Sequence, residues 1–349
     1  MIVKVDRDLL RIRGEQVSHF LNRDSGDVTS HLYLWAEGER LILKGTDWDM
    51  GLSTSISAQV VEEGEVVVDG RRFITLLKAS SGNEVELKRE GEELVLKGER
   101  GVFRLQLPQF EEYPQFPVVE GGDSLQPADQ FLIGLKKVIP AVAKNHVRYE
   151  LNCILIDAGE GVNIVGTDTI RMAIYQLSKE QVAEKQLLLP QKSVVELMRI
   201  FTDDMEIIYN NKYLVARNDN SYFFTKIVDG KFPPYRQIIP TNFSYTTTFE
   251  KQGVLKAVKQ LSIVSNEISV ELTENGMRLE AVEELSRAEI QLETGKIEGE
   301  FEFKINARHW IDFLNGAEGE TVELNVTEPN RAYLLQDNNY LLVAMPIID

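Results

Sequence analysis

Apolar residues along this chain follow two periods, one typical of amphipathic helices and one typical of strands. The helical period predicts six helices, at 7–21, 71–79, 128–144, 192–201, 251–265 and 308–317. In the third of them, Phe131, Leu135 and Val138 have the spacing of a helix that covers a core, and Pro140 is expected to kink or end it. The intervening segments are typical of strands joined by polar turns. The pattern therefore predicts an α+β fold with antiparallel sheets.

The stretch 146–177 shows the strand pattern most clearly. Val147, Tyr149 and Leu151 alternate with polar residues, which predicts that a strand is already formed there. Gly159 and Gly161 mark the first reversal, since glycine alone adopts a positive φ cheaply. A Gly-Thr-Asp turn then leads into a strand that contains a cation, which is commonly a solvated residue.

Several features of the chain recur about 120 residues apart, in the same order each time. Each copy opens with two apolar residues that are expected on the buried face of a helix. It continues with a strand that closes on a small-residue turn, and it adds a second short helix. The helix openings are Leu9-Leu10, Phe131-Leu132 and Val254-Leu255. Phe110-x-x-Tyr113 and Phe232-Pro-Pro-Tyr235 close the first two copies. The repeat predicts three copies of one domain, at 1–120, 121–240 and 241–349.

Charge is distributed unevenly. The chain has a formal net charge of -17, although its predicted helices together carry a net positive charge. This segregation favours helices that face one polyanion and an acidic exterior that repels it. The single cysteine, Cys153, excludes an intrachain disulfide and a site of several cysteine ligands, and it lies in an apolar strand where it is expected to be inert. Without a signal-peptide pattern or a stretch of membrane-spanning length, the expected compartment is the cytoplasm.

A set of motifs in register resembles one known family over the whole length. They are Arg148-Tyr149-Glu150-Leu151-Asn152, Gly166-Thr167-Asp168 with Arg171, Leu189-Pro190 before Lys192, the 228–236 segment VDGKFPPYR and the terminal Met345-Pro346. The sequence is similar to the bacterial DNA polymerase III beta subunits, the sliding clamps. The resemblance implies three repeated DNA-clamp domains per chain, with antiparallel sheets outside and two helices per domain lining a ring.

The resemblance also implies a homodimer that closes head to tail around double-stranded DNA. Twelve helices, each roughly 10 Å across, would form a circle with a bore of roughly 28 Å, which passes a duplex with a layer of water. Such a protein is a processivity factor and not an enzyme, with no cofactor and no metal. Its implied partners are the DNA polymerase III alpha subunit, the clamp loader, and other polymerases and repair proteins that carry clamp-binding motifs.

Three sets of residues follow from this resemblance. A pocket for partner peptides of the Gln-Leu-x-Leu-Phe type is expected at Arg148, Leu151, Thr167, Asp168, Thr169, Arg171, Met172, Pro233, Ile238, Val343, Met345, Pro346 and Ile347. DNA phosphates are expected at Arg23, Arg71, Arg72, Lys136, Lys137, Lys256 and Lys259. The dimer interface is expected at Phe103, Ile263 and Val264.

The chain departs from the family pattern near the expected pocket. Thr169-Ile170 stand where relatives usually have Gly-His, Gln237 replaces a frequent arginine, and the chain ends in Ile347-Ile348-Asp349. Asp24 and Asp27 flank the segment after the first helix, beside Arg23.

Two other classes of function are open from the residues alone. Asp47, Asp49 and Asp168 follow strands, where a carboxylate-metal hydrolase could place its ligands, although the same turns are more simply capped by their own aspartates. The four histidines are scattered, and no phosphate-binding loop or nucleophile elbow occurs. The second class is a three-repeat interaction scaffold without a role in nucleic-acid binding.

Overall fold

The computed structural model describes residues 1–22, 26–109, 112–202, 205–295, 297 and 299–348. Two compact units are present, Met1–Asp129 with Val195–Ile227, and Gln130–Val194 with Val228–Asp349. We call them unit 1 and unit 2. The helices of the described chain are α1 (Arg7–Ser18), α2 (Gly70–Ala79), α3 (Ala128–Val138), α4 (Gln191–Ile200), α5 (Lys251–Leu261) and α6 (Ala307–Gly316).

Unit 1 contains two sheets, and all their strand pairs are antiparallel. Its strands are β1 (Ile2–Asp6), β2 (His31–Glu37), β3 (Arg40–Thr46), β4 (Met50–Ser57), β5 (Gln59–Glu62), β6 (Gly64–Asp69), β7 (Glu84–Glu90), β8 (Glu93–Lys97), β9 (Val102–Gln106), β10 (Asp123–Ser124), β15 (Glu206–Tyr209), β16 (Tyr213–Arg217) and β17 (Ser221–Lys226). One sheet has the order β5-β1-β7-β8-β9, and the other has the order β10-β15-β16-β17-β4-β3-β2-β6. The second sheet is continuous through the β17–β4 pair, so strands from the first and second repeats share it.

Unit 2 has the same design. Its strands are β11 (Cys153–Ala158), β12 (Val162–Thr167), β13 (Arg171–Ser178), β14 (Lys185–Pro190), β18 (Tyr245–Glu250), β19 (Glu267–Thr273), β20 (Gly276–Glu283), β21 (Ser286–Leu292), β22 (Phe301–Asn306), β23 (Thr321–Val326), β24 (Tyr333–Asp337) and β25 (Tyr340–Ala344). The larger sheet has the order β14-β11-β12-β13-β25-β24-β23-β18, and the smaller has β21-β20-β19-β22. Here the β13–β25 pair joins strands of the second and third repeats.

Side-chain caps explain where four of the helices begin. The carboxylates of Asp6 and Asp69 accept hydrogen bonds from backbone N–H groups in the first turns of α1 and α2, Glu250 does so for α5, and the amide oxygen of Asn306 does so for α6. As the sequence predicts, α3 ends just before Pro140, which lies in a 3-10 turn at Ile139–Ala141. The helices bury their apolar faces beneath the sheets, and Trp310, Phe131, Phe73 and Phe20 are almost completely buried.

Two local predictions are wrong. Leu9 was expected on the buried face of α1, but 48% of it is exposed and Leu10 alone enters the core. The strand expected from Val147 onward begins only at Cys153, because residues Tyr149–Asn152 form a 3-10 turn. The side-chain amide of Asn152 accepts a hydrogen bond from the backbone N–H of His146 at 2.8 Å and donates one to its carbonyl at 2.9 Å. The backbone of His146 is therefore not available to pair with a strand of the sheet.

Candidate functional site

An open cavity of about 240 Å³ lies within unit 2, where the β13–β25 pair meets two loops. Its lining is mainly apolar and comes from Arg148, Leu151, Thr167, Thr169, Ile170, Arg171, Met172, Phe232, Pro233, Tyr235, Ile238, Ala332, Val343, Ala344 and Met345. This pocket therefore brings together residues that are far apart in the sequence. All of the predicted pocket residues line it except Asp168, Pro346 and Ile347.

The floor of the pocket is set by strand register. Met172 lies opposite Val343, and both belong to a buried cluster that also contains Cys153, Phe232 and Tyr235. Burial raises the pKa of the Cys153 thiol to about 12, so the thiol stays protonated and belongs to the core. The floor is thus preformed and apolar, whereas Ile170, Ile238 and Met345 at the rim are about half exposed.

The Thr167-Asp168 turn builds one wall of the pocket. The Thr167 hydroxyl donates to the carbonyl of Arg171 at 2.7 Å, and Asp168 Oδ1 accepts from the backbone N–H groups of Ile170 and Arg171 at 3.1 and 2.9 Å. This reversal holds Thr169 at a φ of 79°, in the left-handed region. The turn is capped by its own aspartate, as the simpler interpretation of the sequence predicts.

The corresponding turn of the first repeat has the same hydrogen bonds. Thr46 Oγ1 donates to Met50 at 2.8 Å, and Asp47 Oδ1 accepts from the backbone N–H groups of Asp49 and Met50 at 3.1 and 2.9 Å. Trp48 occupies the left-handed position there, with a φ of 74°. The surroundings of the two turns differ. In unit 1, Phe224 lies opposite Gly51, next to this turn, and its ring packs against that of Phe116 with centroids 4.9 Å apart.

Arg171 is buried and paired, so the interpretation of this cation as a solvated strand residue is wrong. Its Nε lies 3.0 Å from Asp168, its Nη1 lies 2.8 Å from Asp312, and its Nη2 donates to the carbonyl of Pro140. Only 6% of its side chain is exposed. Arg171 therefore holds the pocket wall against α6 and the end of α3.

Arg148 is the other cation of the pocket, and it is exposed. Its backbone N–H donates to His146, but within the described chain its side chain has no hydrogen bond or ion pair. Of the two arginines expected to contact a peptide at the rim, Arg148 is the one whose guanidinium is available.

The segment after β17 supplies pocket residues that sequence reasoning missed. The hydroxyl of Tyr235 donates a hydrogen bond to the carboxylate of Asp157 at 2.7 Å, and the same carboxylate pairs with Arg236 at 2.9 Å. In the sequence, Phe232 and Tyr235 belong to the end of a repeat and to the 228–236 motif, and those signals could have placed them in the pocket. Ile170 stands at a departure from the family pattern near the pocket, whereas Ala332 and Ala344 carry no comparable signal.

The C-terminal tail explains why two of the predicted residues do not line the pocket. Met345 is fixed by a hydrogen bond from its backbone N–H to the carbonyl of Ile170 at 2.9 Å. Two residues later, Ile347 bonds to Lys304 on β22 at 2.9 Å, which draws the chain away from the pocket. Asp168 is occupied by its own turn and by Arg171.

The cations expected to contact DNA are not equivalent. Arg71, Arg72, Lys136, Lys256 and Lys259 are exposed on their helices. Lys137 is buried instead, with its Nζ 2.8 Å from Glu318 and 4.9 Å from the centre of the Tyr175 ring, so its charge already has partners within the protein. Arg23 lies outside the described residues.

The residues expected at a dimer interface lie near strand edges or helix ends. Phe103 is half-buried on β9, the edge strand of its sheet. Ile263 follows α5 and is 85% exposed, and Val264 beside it is half-buried.

The described residues include no cluster of three or more histidine, cysteine or acidic side chains that could hold a metal ion. Of the three carboxylates of the hydrolase alternative, Asp168 and Asp47 cap their own turns and Asp49 pairs with Lys226 at 3.0 Å. None of the helices in the described ranges is long and apolar enough to cross a membrane.

Three clamp domains with two helices each and antiparallel sheets make this a DNA-clamp fold, and comparison with known proteins gives the family. Three family models of the DNA polymerase III beta subunit match this chain: the N-terminal domain at residues 1–117, the central domain at 127–234 and the C-terminal domain at 236–347. The beta sliding clamp of Helicobacter pylori J99 is 27% identical and covers 97% of this chain and 94% of its own length. That of Vibrio cholerae is 28% identical, covering 95% of this chain and 96% of its own.

Solved structures agree with these matches. The Helicobacter pylori beta clamp bound to a DNA ligase peptide superimposes with a TM-score of 0.93 at 26% identity, over 100% of both chains. The beta subunit from Pseudomonas aeruginosa has the same fold, with a TM-score of 0.89 at 24% identity, over 99% of this chain and 100% of its own. The chain belongs to the bacterial DNA polymerase III beta subunit family. Members of this family are the beta sliding clamps, which are non-catalytic processivity factors of DNA replication, and the family implies DNA and a polymerase as partners.

Proposed function

We propose that this chain forms a homodimeric ring around double-stranded DNA and captures partner peptides in the unit 2 pocket. The proposed partners are the DNA polymerase III alpha subunit, the clamp loader, and other polymerases and repair proteins with clamp-binding motifs. The proposed compartment is the cytoplasm, and the proposed domain limits are 1–120, 121–240 and 241–349. The preformed apolar pocket is the observation that carries this proposal.

The chemistry of the pocket suits a short peptide with two or three large apolar side chains. Met172, Val343 and Leu151 are buried, apolar and already in place, so binding requires little ordering of the protein. Each apolar side chain that the peptide buries contributes roughly 1.5–3 kcal/mol. After the costs of association, the net affinity should be about micromolar, which lets partners exchange. The relative from Helicobacter pylori was solved with a DNA ligase peptide.

The polar end of the peptide is assigned to Arg148. Its guanidinium can donate to peptide carbonyls or to a glutamine side chain, because no described residue occupies it. Arg171 takes the role of a positioning residue, since its guanidinium already has protein partners.

Exposed cations on the helices supply the proposed contact with DNA. Arg71 and Arg72 on α2, Lys136 on α3, and Lys256 and Lys259 on α5 can meet phosphates, which are the same for every sequence. Binding should therefore be independent of sequence and should weaken with salt. Ring closure is assigned to the edge strand that carries Phe103 and to Ile263 and Val264, because exposed strand edges and apolar side chains are covered when subunits pair.

Retention on DNA tests the ring. A clamp loaded onto a nicked circle should stay bound and should leave when the circle is cut, whereas equal retention on circular and linear DNA would exclude encirclement. The double substitution Ile263→Asp and Val264→Asp should give a folded monomer in sedimentation that is not retained. Val147→Asp, at a residue that is 99% exposed and outside the proposed interface, is the matched control and should stay dimeric.

Truncation tests the pocket. Deleting residues 345–349 should abolish binding of a fluorescent Gln-Leu-x-Leu-Phe peptide, measured by polarisation. Deleting only residues 348–349 should leave the affinity nearly unchanged, because Ile348 is outside the pocket. Undiminished affinity in the longer truncation would show that the peptide binds elsewhere.

A further inference from the structure

A second cavity, of about 580 Å³, lies in unit 1 on the face of the β6-β2-β3 sheet that points away from the helices. It is lined by Tyr33, Trp35, Lys44, Glu65, Val66, Val67, Arg89, Leu107, Pro108, Glu112, Tyr113, Pro114 and Gln115. None of these residues belongs to the peptide pocket, to the helix cations or to the proposed dimer interface. We call it the outer cavity.

The alternation of side chains along the strands decides which residues face the outer cavity. Leu32 and Leu34 on β2 are fully buried, so Tyr33 and Trp35 point to the opposite face. In register, Lys44 lies opposite Tyr33, and Glu65 lies opposite Trp35. Two aromatic rings and two charges are therefore neighbours on one wall.

Lys44 is a half-buried cation that forms no ion pair with any residue that the structure describes. Its Nζ lies 5.2 Å from the centre of the Tyr33 ring, 5.4 Å from Trp35 and 6.0 Å from Phe116. No carboxylate of the described chain is within ion-pair distance of Lys44. The nearby Glu65 accepts a hydrogen bond from the hydroxyl of Tyr33. Burial lowers the pKa of Lys44, and the negative charge of Glu65, beyond ion-pair distance, acts in the opposite direction and only partly offsets this effect.

Arg89 is a second cation that has no carboxylate partner among the described residues. Its guanidinium makes only long hydrogen bonds, of 3.4 Å, to the backbone carbonyls of Gly91 and Glu65. Other cations of the same sheet are paired, since Lys88 and Arg104 both lie within 3.0 Å of Glu90. Two unpaired cations beside an aromatic wall are the complement of an anion that carries a flat ring.

The carboxylates of the outer cavity limit the charge of its ligand. Glu65 and Glu112 line it together with two cations, so the net attraction for an anion is small and the cost of removing a dianion such as a phosphate monoester from water exceeds it more than for a single negative charge. The volume is in the range of pockets that hold molecules of drug-like size. We propose that the outer cavity binds a small aromatic monocarboxylate, with its carboxylate at Lys44 and Arg89 and its ring against Trp35 and Tyr113.

Binding of 2-naphthoate to the full chain, followed by calorimetry and by ligand-observed NMR, tests this proposal. The neutral isostere 2-naphthamide should bind at least about tenfold more weakly, because the charge pair is lost. Lys44→Met should reduce the affinity for 2-naphthoate by a similar factor, and Lys44→Arg should retain most of it. Lys88→Met, which removes the cation next to Arg89 in the sequence but outside the cavity, should have no effect.

Competition separates the outer cavity from the peptide pocket. A saturating clamp-binding peptide should not displace 2-naphthoate, and the 345–349 truncation should bind it as the full chain does. Displacement by the peptide, equal binding of acid and amide, unchanged binding to a folded Lys44→Met variant, or no saturable binding at millimolar concentration would each overturn the proposal. If Lys44→Met does not fold, Arg89→Met provides the same comparison, because it removes the second cation.

Discussion

The guanidinium of Arg171 lies 2.8 Å from the carboxylate of Asp312, which is on α6 and 141 residues away in the sequence. Asp168 binds the same guanidinium from the pocket wall at 3.0 Å. A single buried cation therefore connects the turn that shapes the peptide pocket to a helix that is proposed to face DNA. The pocket wall depends on this cation being neutralised.

Asp312→Asn should lower the free energy of unfolding by roughly 1.5–3 kcal/mol, because a charged hydrogen bond to a buried arginine is lost while Asp168 remains. Denaturant unfolding measures this effect. Glu206→Gln, which breaks an exposed pair with Arg217 at 2.8 Å, is the matched control and should cost less than about 1 kcal/mol. Equal costs for the two variants would contradict the structural role of the Arg171–Asp312 pair.

His309 should make stability depend on pH. Its pKa is lowered to about 4, first because it is buried and then because Arg171 repels its proton, and Asp168, Asp312 and Arg308 also act on it. In the unfolded chain a histidine has a pKa of about 6.5. The unfolded state therefore takes up the proton first, and stability is lost as the pH falls from about 6.5 towards about 4.

The expected loss over this pH range is of the order of 3 kcal/mol. Thermal unfolding at a series of pH values measures it. His309→Gln should remove this component of the pH dependence, whereas His19→Gln, at a side chain that is 42% exposed, should keep it. The same slope in wild type and His309→Gln would contradict the assignment.

Neighbouring lysines on α3 should give opposite results. Lys136→Ala should weaken DNA binding and reduce its salt dependence, because one phosphate contact is lost, with little change in stability. Lys137→Ala should leave DNA binding nearly intact and destabilise the fold by about 1–3 kcal/mol, because Glu318 and two aromatic rings lose their cation. Filter binding at several salt concentrations and denaturant unfolding separate the two outcomes, and an effect of Lys137 on DNA binding alone would contradict its buried position.

Arg148→Ala should weaken the binding of a Gln-Leu-x-Leu-Phe peptide by about tenfold, because one or two hydrogen bonds to a charged donor are lost. Lys144→Ala, a nearby exposed cation outside the pocket, is the control for a general charge effect. Fluorescence polarisation at low and high salt distinguishes a specific contact from attraction at long range. Equal losses in both variants would show that the arginine acts only through its charge.

Thr169→Gly should stabilise the chain by about 0.5–1 kcal/mol, because a β-branched residue in the left-handed region costs more than the added freedom of glycine in the unfolded state. The midpoint of urea unfolding measures the change. Thr248→Gly, in strand β18, should have the opposite sign, since glycine there only loses strand preference. Destabilisation by both variants would show that the Thr167-Asp168 turn does not strain Thr169.

Local patterns in the sequence predict the helices and most turns, but they do not predict every hydrogen bond that ends or interrupts a strand. The six helices, the early end of α3 at Pro140 and the aspartate-capped turns depend on neighbouring residues, and the structure confirms them. The 3-10 turn before β11 was missed because apolar alternation at Val147 and Tyr149 does not reveal that the side chain of Asn152 binds the backbone of His146.

The burial of charged residues depends on contacts between distant parts of the chain. Lys137 is covered because Tyr340 and Glu318 reach it from the third repeat, and Arg171 is covered because Asp312 does so. No window of neighbouring residues contains these partners. Most of the pocket could be located by resemblance, but the choice between Arg148 and Arg171 as the available cation required the three-dimensional structure.

The pairing of β13 with β25 has a consequence for the order of events during synthesis of the chain. The pocket floor needs Val343 beside Met172, so the site does not exist while the ribosome is still adding the third repeat. A nascent clamp can fold its first strands and helices without offering a place for a polymerase to bind. Under the proposed function, partners therefore engage only chains that have been translated through β25, and shorter nascent chains do not compete for them.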